Sequence, residues 1–380
     1  MIISCQFSDY SMDEEEFFLE KHVRYFQSCL NGLPEPYVEL ETSRLTAIYF
    51  SVVGLAMLGR LDSIEKQKIV DYVKGMLIHS ETSGDQPISG FIGSSYLGHA
   101  FGTCEGCSGE DLDLMSLCST TSASIDTNTN TVNGKLAGSQ YFQGHLAQTF
   151  SALATLRTLG ESFEKLPKNA LVRQIALLQR QDGGFSASLS GCECDLRFVY
   201  CACAISSLLD DWSGVDKNRA CSYIKECISY DGGMALTPTG SEGQGGATYC
   251  GIASLALMGR LDYLDSTIMQ RLSLWILQRA QGEGGYNGRV NKTPDSCYSF
   301  WVGGSSHILG SFDDVDREPC RSFLLYCCQN DKIGGFSKTP GVYPDILHSF
   351  YSIAWLSLDD CEHLGTTLRP IDVLKGICRY

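Results

Sequence analysis

A unit of about fifty residues recurs along this chain, and it restricts the fold more than any other feature. A two-glycine turn stands at Gly183-Gly184-Phe185, Gly232-Gly233-Met234, Gly284-Gly285-Tyr286 and Gly334-Gly335-Phe336, with steps of 49, 52 and 50 residues from one first glycine to the next. Some 14 to 17 residues later an aromatic opens an apolar segment: Tyr200, Tyr249, Phe300 and Phe350. Two earlier stretches fit the same template, Thr46–Leu58 with Phe50 and Leu146–Leu159 with Phe150. Each apolar segment is paired with a more polar, amphipathic one, as in Ser63–Ile78, Leu166–Gln179, Asn218–Ile228, Thr267–Arg279 and Asp316–Cys328. A repeat of this length holds one helical hairpin, and hairpins must stack to bury their apolar faces. Inner segments that are apolar nearly all round, alternating with amphipathic ones, predict two concentric layers. The fold class is therefore all-α, six hairpins that close into an α/α toroid or run on as an open solenoid. Both have the same local pattern. In either, the Gly-Gly turns put their loops on one rim.

Length alone allows one or two domains. We read a single domain, 1–380, with a flexible polar insertion over about 103–134, a run rich in serine, threonine and asparagine. Cys104 and Cys107 within it form a CxxC followed by Cys118, without the second CxxC or histidines of a zinc ribbon. The formal charge of −15 argues against sequence-independent binding to nucleic acid or to an anionic membrane. The longest apolar stretch, Leu45–Leu58, is too short for a transmembrane segment. The first twenty residues are acidic around Asp13–Glu16 and do not read as a secretory signal. Eighteen cysteines then read as reduced thiols, and the expected localisation is cytoplasmic.

Chemistry concentrates between Gly288 and Trp301, which brings together Arg289, Lys292, Asp295, Cys297 and Tyr298. Pro294 disfavours αR in the residue before it, so a helix is expected to start near Asp295. Asp295 and Cys297 would lie in its first turn, where a carboxylate and a thiolate can share a divalent ion, zinc for preference. Arg289 and Lys292, on the loop feeding the helix, suit a phosphate or diphosphate. If the last inner helix is a neighbour, a third ligand belongs near its start, and His348 stands there. Such a triad leaves one position open, as in catalytic zinc sites. Taken singly, Asp295 also reads as a helix N-cap and His348 as a cap or core residue.

Three motifs carry a resemblance: Asp295-Ser-Cys297-Tyr298-Ser-Phe-Trp301, Asp195-Leu-Arg197-Phe198-Val-Tyr200, and Tyr249-Cys250-Gly251 through Met258-Gly259. With them the chain resembles, from about Leu40 to Leu358, the β subunits of protein prenyltransferases, most closely the type I, geranylgeranyl-transferring group. The resemblance implies an α/α toroid gripped by a crescent-shaped helical α subunit, an obligate partner without which this chain would be inactive. It implies zinc on Asp295, Cys297 and His348, and attack by a substrate cysteine on C1 of geranylgeranyl diphosphate. The substrates would be CaaX-terminated proteins, X typically leucine, such as Rho-type small GTPases. Arg289, Lys292 and Tyr298 match diphosphate contacts in that family. Gln244, with Gly245 and Gly246, stands where members usually carry histidine before Gly-Gly. An amide can donate a hydrogen bond there but cannot become cationic. Lys338 occupies the place of an aspartate that helps farnesyltransferases bind magnesium, so no magnesium requirement is expected. Thr46 replaces a bulky tryptophan of farnesyl-selective members, and Phe50 and Leu347 match neighbouring wall positions of the lipid pocket. Arg197, Phe198, His145 and Ala147 match the region handling the C-terminal tetrapeptide. His145 also reads as a satisfied histidine on an inner helix. The rivals are a farnesyltransferase β subunit, disfavoured by Thr46 and Lys338, the type II group, disfavoured by Lys338, and a non-catalytic toroid scaffold.

Overall fold

The structure, a computed structural model, describes residues 16–33, 35–81, 87–95, 143–191, 193–238, 240–282, 284–359 and 364–379. The polar run 103–134, with Cys104, Cys107 and Cys118, lies outside the described residues. Helices alternate between an outer and an inner layer in chain order. They are α1 (Leu19–Asn31), α2 (Arg44–Met57), α3 (Lys66–Gly75), α4 (Leu146–Thr158), α5 (Lys168–Leu178) and α6 (Leu196–Leu209). The second half adds α7 (Lys217–Glu226), α8 (Gly245–Leu257), α9 (Ser266–Leu277), α10 (Ser296–Leu309), α11 (Glu318–Ser322) and α12 (Ile346–Asp359). Even-numbered helices are buried on nearly every face, and each packs on the next, α2 on α4 and so on to α10 on α12. The ring closes where α12 packs on α2. The fold is a closed toroid.

The Gly-Gly turns show how closure is built. The first glycine of each turn has φ between +77° and +103°, a conformation costly for residues with a Cβ. The second sits against an aromatic of the next outer helix: Gly184 on Tyr223, Gly233 on Trp275, Gly285 on Phe323 and Gly335 on Tyr25. A Cβ on these glycines would come within 2.7, 2.6, 2.6 and 3.0 Å of those rings. The first glycines meet the backbone four residues earlier on the same helices, at Arg219, Arg271, Pro319 and Lys21. The fourth turn thus docks on α1 as the others dock on α7, α9 and α11. Among the described residues α1 is the sixth outer helix, which the repeat pattern did not assign.

His22 locks this seam. Gly335 N–H donates to Nδ1 at 2.9 Å, so the proton resides on Nε2, which lies 2.8 Å from the Gln329 side-chain oxygen. The ring also stacks on Phe336, centroids 4.8 Å apart. Burial pushes its pKa down from 6.5 to about 4, further lowered by Lys21 and partly restored by Gln329. A depressed histidine pKa means that the unfolded chain binds the proton more readily. The stability the seam gains from a neutral ring is complete above about pH 6.5 and is lost as the pH falls through about 4. His22→Ala is expected to cost about 2 kcal/mol, through two lost hydrogen bonds and a cavity. Its unfolding midpoint should also depend less on pH between 4 and 6.5 than that of the parent chain. An unchanged acid limb in the variant would refute the assignment.

Inside the ring the repeat aromatics form a continuous belt. Tyr49 meets Phe150, Phe150 meets Tyr200, Tyr200 meets Tyr249 and Tyr249 meets Phe300, at 5.4, 5.6, 5.5 and 5.3 Å between centroids. Tyr351 and Phe350 complete the circuit back to Tyr49. In the first repeat Tyr49 takes the belt position expected of Phe50, which packs beside it against Phe350 and Tyr351. Three belt hydroxyls point to one end of the barrel, where Tyr49, Tyr200 and Tyr249 donate to the carbonyls of Gly376, Leu374 and Val373. Those residues belong to a small hairpin, β5 (Ile371–Asp372) with β6 (Ile377–Cys378), once β1–β2 (Leu77–Glu81, Pro87–Phe91) and β3–β4 (Phe336–Ser337, Pro344–Asp345) have been counted. The hairpin closes that end. The stretch Asp316–Cys328 departs from a regular helix, since α11 passes into a π-helical turn over Phe323–Cys328. No helix among the described residues is long and apolar enough to cross a membrane.

Candidate active site

The open rim is formed by the N-termini of the inner helices, and the repeat places chemistry there by register. Five residues before each belt aromatic stands the residue that begins the helix: Arg44, His145, Asp195, Gln244, Asp295 and Asp345. Asp195 and Asp295 cap α6 and α10, accepting from the N–H groups of Arg197 and Cys297. His145 caps α4 through Nδ1, 3.2 Å from Ala147 N, and burial lowers its pKa. Three residues before the belt stand Thr46, Ala147, Arg197, Gly246, Cys297 and Leu347. All but Cys297 are at least partly exposed, although they lie on inner helices. Residues expected to serve lipid, peptide and metal therefore share one level of the barrel.

Asp295, Cys297 and His348 converge at that level, one ligand atom from each lying within 4.8 Å of the others. His348 Nε2 is 3.2 Å from Asp295 Oδ1, and its Nδ1 is 2.6 Å from Asp345 Oδ2. Asp345 also accepts from the His348 backbone N–H at 2.9 Å. Its carboxylate fixes the ring so that Nε2 faces Asp295 and Cys297, the usual support of a metal-ligating histidine. Asp345 stands outside the ligand triad expected from the sequence, yet its register equivalence to Asp295 marks it. Burial alone would lower the His348 pKa, but the hydrogen bonds and charges of Asp295 and Asp345 raise it to about 9. Burial works to raise the Asp295 pKa, and the His348 and Cys297 contacts outweigh it and bring it below the ordinary value. Burial and the Asp295 charge push the Cys297 thiol well up. A buried carboxylate, thiol and supported imidazole fit a zinc ion, which would take the place of the proton between His348 and Asp295.

Lys338 Nζ lies 3.7 Å from Asp295 Oδ2 and is tied in by its backbone, Ser296 N donating to Lys338 O at 2.9 Å. Tyr298 sits between the two neighbouring loops. A Cβ on Gly288 would overlap its ring, and one on Gly245 would come within 2.9 Å of it. These glycines are required for the phenol to lie there. Gly245 N donates to Gly288 O at 2.9 Å, joining the loops. Burial raises the Tyr298 pKa to about 12, with Cys297 and Asp295 adding and Arg289 opposing, so the phenol is a hydrogen-bond donor at neutral pH. Arg289 is paired with Glu242 at 2.7 Å. Lys292 is exposed, with its backbone carbonyl held by Asn287 Nδ2 at 3.1 Å. Gln244 is partly exposed, and its side chain makes no capping bond. Arg197 is gripped by Asp195 through Nε and Nη2, and Phe198 meets His145 edge to face at 5.8 Å. Thr46 Oγ1 reaches Gln148 and Ser151 on α4, at 3.2 and 3.3 Å.

Comparison with known proteins agrees with this architecture. Residues 17–377 match the prenyltransferase alpha-alpha toroid domain. The chain is 37% identical over 376 residues to the geranylgeranyl transferase type-1 subunit beta of Arabidopsis thaliana, covering 94% of this chain and 91% of that one. Identity to the protein of the same name from Dictyostelium discoideum is 36% over 362 residues, covering 94% and 95%. In fold, the chain superposes on Candida albicans protein geranylgeranyltransferase-I complexed with GGPP with a TM-score of 0.76 and 24% identity, covering 96% of each chain. The chain belongs to the prenyltransferase alpha-alpha toroid family, and its full-length relatives there include β subunits of type I geranylgeranyl transferases.

Proposed function

We propose that this chain is the catalytic β subunit of a type I protein geranylgeranyltransferase. It would work in the cytoplasm with a prenyltransferase α subunit, on proteins ending in a CaaX motif. The observation that carries the reading is the meeting of Asp295, Cys297 and His348 on the rim that also holds Arg289, Lys292 and Tyr298. Identity of 36–37% along most of the chain to two type-1 β subunits supports the geranylgeranyl assignment.

In the reaction a bond forms between the substrate cysteine sulfur and C1 of the lipid, the C1–O bond breaks, and diphosphate leaves with the electron pair. Asp295, Cys297 and His348 would hold a zinc ion, which when bound would supply a Lewis acid able to keep a substrate thiol ionised near neutral pH. Asp345 holds the imidazole of His348 in the ligating orientation. Arg289, Lys292 and the Tyr298 hydroxyl stand where negative charge grows on the leaving group, the placement that most lowers such a barrier. Lys338 brings a further cation to the same edge. Thr46, Phe50 and Leu347 line the lipid, and Arg197, Phe198, His145 and Ala147 the tetrapeptide.

The test is a transfer assay on the chain co-expressed with an α subunit. Geranylgeranyl and farnesyl diphosphate are offered in turn to a CaaX peptide ending in leucine, with zinc present and magnesium removed. Preferential geranylgeranyl transfer is expected, undiminished without magnesium. Farnesyl preference or a strict magnesium requirement would overturn the type I reading within the family. No transfer by a stable heterodimer would favour a scaffold.

A further inference from the structure

Two arginines on the rim are held by carboxylates in different ways. Arg197 presents its Nε–Nη2 edge to Asp195, with Nε 3.0 and 3.2 Å from the two oxygens and Nη2 2.7 Å from Oδ2. That edge, two parallel N–H groups, is the one suited to bidentate capture of a carboxylate or phosphate, and in Arg197 it is filled. Arg289 gives only Nη1 to Glu242 Oε1, at 2.7 Å. Among the described residues its Nε and Nη2 have no protein partner. Among the described residues the bidentate edge of Arg289 is therefore unfilled, the guanidinium is close enough to Tyr298 to act on its phenol, and Lys292 N donates to Arg289 O at 3.3 Å.

Glu242 is well placed to keep it so, because its own backbone is fixed on both sides. Ser241 O accepts from Ser229 Oγ at 2.6 Å, and Gly243 N donates to the Asp231 carboxylate at 3.1 and 3.2 Å. Gln244 N then donates to Met234 O at 2.9 Å. Arg289, by contrast, lies in a turn between Gly288 and Asn291, the latter at φ +60°, and Glu242 is its only side-chain partner among the described residues. Both side chains are 38% exposed, and an ion pair so open to water adds little to stability.

We propose that Glu242 is a positioning residue for the leaving diphosphate. By holding Nη1 it orients Arg289, and it leaves the Nε–Nη2 edge free to bind a phosphate group of the lipid substrate in bidentate fashion. The proposal rests on the reading of Arg289 as a diphosphate contact. Gln244, uncharged and two residues away, adds no cation at this corner, so orientation of Arg289 matters more.

The test uses the zinc-loaded heterodimer and measures equilibrium binding of geranylgeranyl diphosphate together with KM and kcat for lipid and peptide. Arg289→Ala is expected to weaken diphosphate binding by about tenfold or more. Glu242→Ala should weaken it by about fivefold while leaving peptide KM, zinc content and melting temperature unchanged. Glu242→Gln, whose amide oxygen still accepts from Nη1, should recover to within about twofold of the parent. Unchanged or tighter lipid binding in Glu242→Ala overturns the proposal, since the carboxylate would then be a mere counter-charge. Equal impairment of the Ala and Gln variants also overturns it, because charge rather than position would be at work. If Arg289→Ala itself binds the lipid normally, the reading of Arg289 fails first.

Discussion

A Cys297→Ala chain, assembled with its α subunit, is expected to lose transfer by roughly a thousandfold, because both thiolate activation and substrate placement go with the ion. Zinc content, read by a chromophoric chelator on the released metal, should fall with it. His348→Ala should behave alike, whereas Asp345→Asn keeps the ligand set and loses only the carboxylate that orients His348. Its zinc affinity should drop by about 10- to 100-fold, the usual effect of removing an outer-shell partner. Without metal, His348 keeps its proton up to about 9 and Cys297 to higher pH still. Both protons must leave on ligation, so between pH 6 and 8 uptake should release up to about two protons and affinity should fall as pH falls. A Cys297→Ala enzyme with full zinc and full transfer would remove the metal site from the mechanism.

Much of this site could be read from the sequence because the repeat turns sequence distance into spatial register. Asp295 and Cys297 stand beside each other on one helix start, and adding one period leads to His348. The same rule would have found Asp345, fifty residues after Asp295 and at the same helix-start position, had it been applied to caps as well as ligands. Glu242 was beyond such reasoning, since its pairing with Arg289 crosses between loops and leaves no periodic trace. Closure was open for a similar reason. The pattern repeats from turn to turn, but the seam joins Gly334-Gly335 to α1, at opposite ends of the chain. Nothing local announces that Lys21 and Tyr25 are spaced like Arg219 and Tyr223. Helix α1 has no Gly-Gly turn before it, so the template leaves it unassigned. Conversely, Phe50 looked like the belt residue because the template counts aromatics, whereas the barrel interior selects by helix face, and Tyr49 faces it.

Thr46→Trp is expected to reverse the lipid preference while leaving the metal site intact. Thr46 sits three residues before Tyr49 on α2 and is partly exposed, between Leu45 at 0% and Ala47 at 3% exposure. On an inner helix of a closed ring, such exposure means that it faces the barrel interior near the rim. Its hydroxyl spans to Gln148 and Ser151 of α4, a small polar contact in an otherwise aromatic wall. An indole there has α4 on one side and the belt below, so it must project inward, taking more room than one isoprene unit. A lipid of four isoprenes would then clash, while one of three would still fit. The ratio of kcat/KM for geranylgeranyl over farnesyl diphosphate should fall by about 100-fold, the scale on which pocket volume discriminates between chain lengths. Thr46→Ser, which preserves size and hydroxyl, should leave that ratio near its starting value. If the tryptophan instead forces α2 from α4, overpacking will lower the melting temperature and depress transfer of both lipids alike. That result would move Thr46 from the lipid wall to the helix interface and leave chain length to be set by Phe50, Leu347 and the belt.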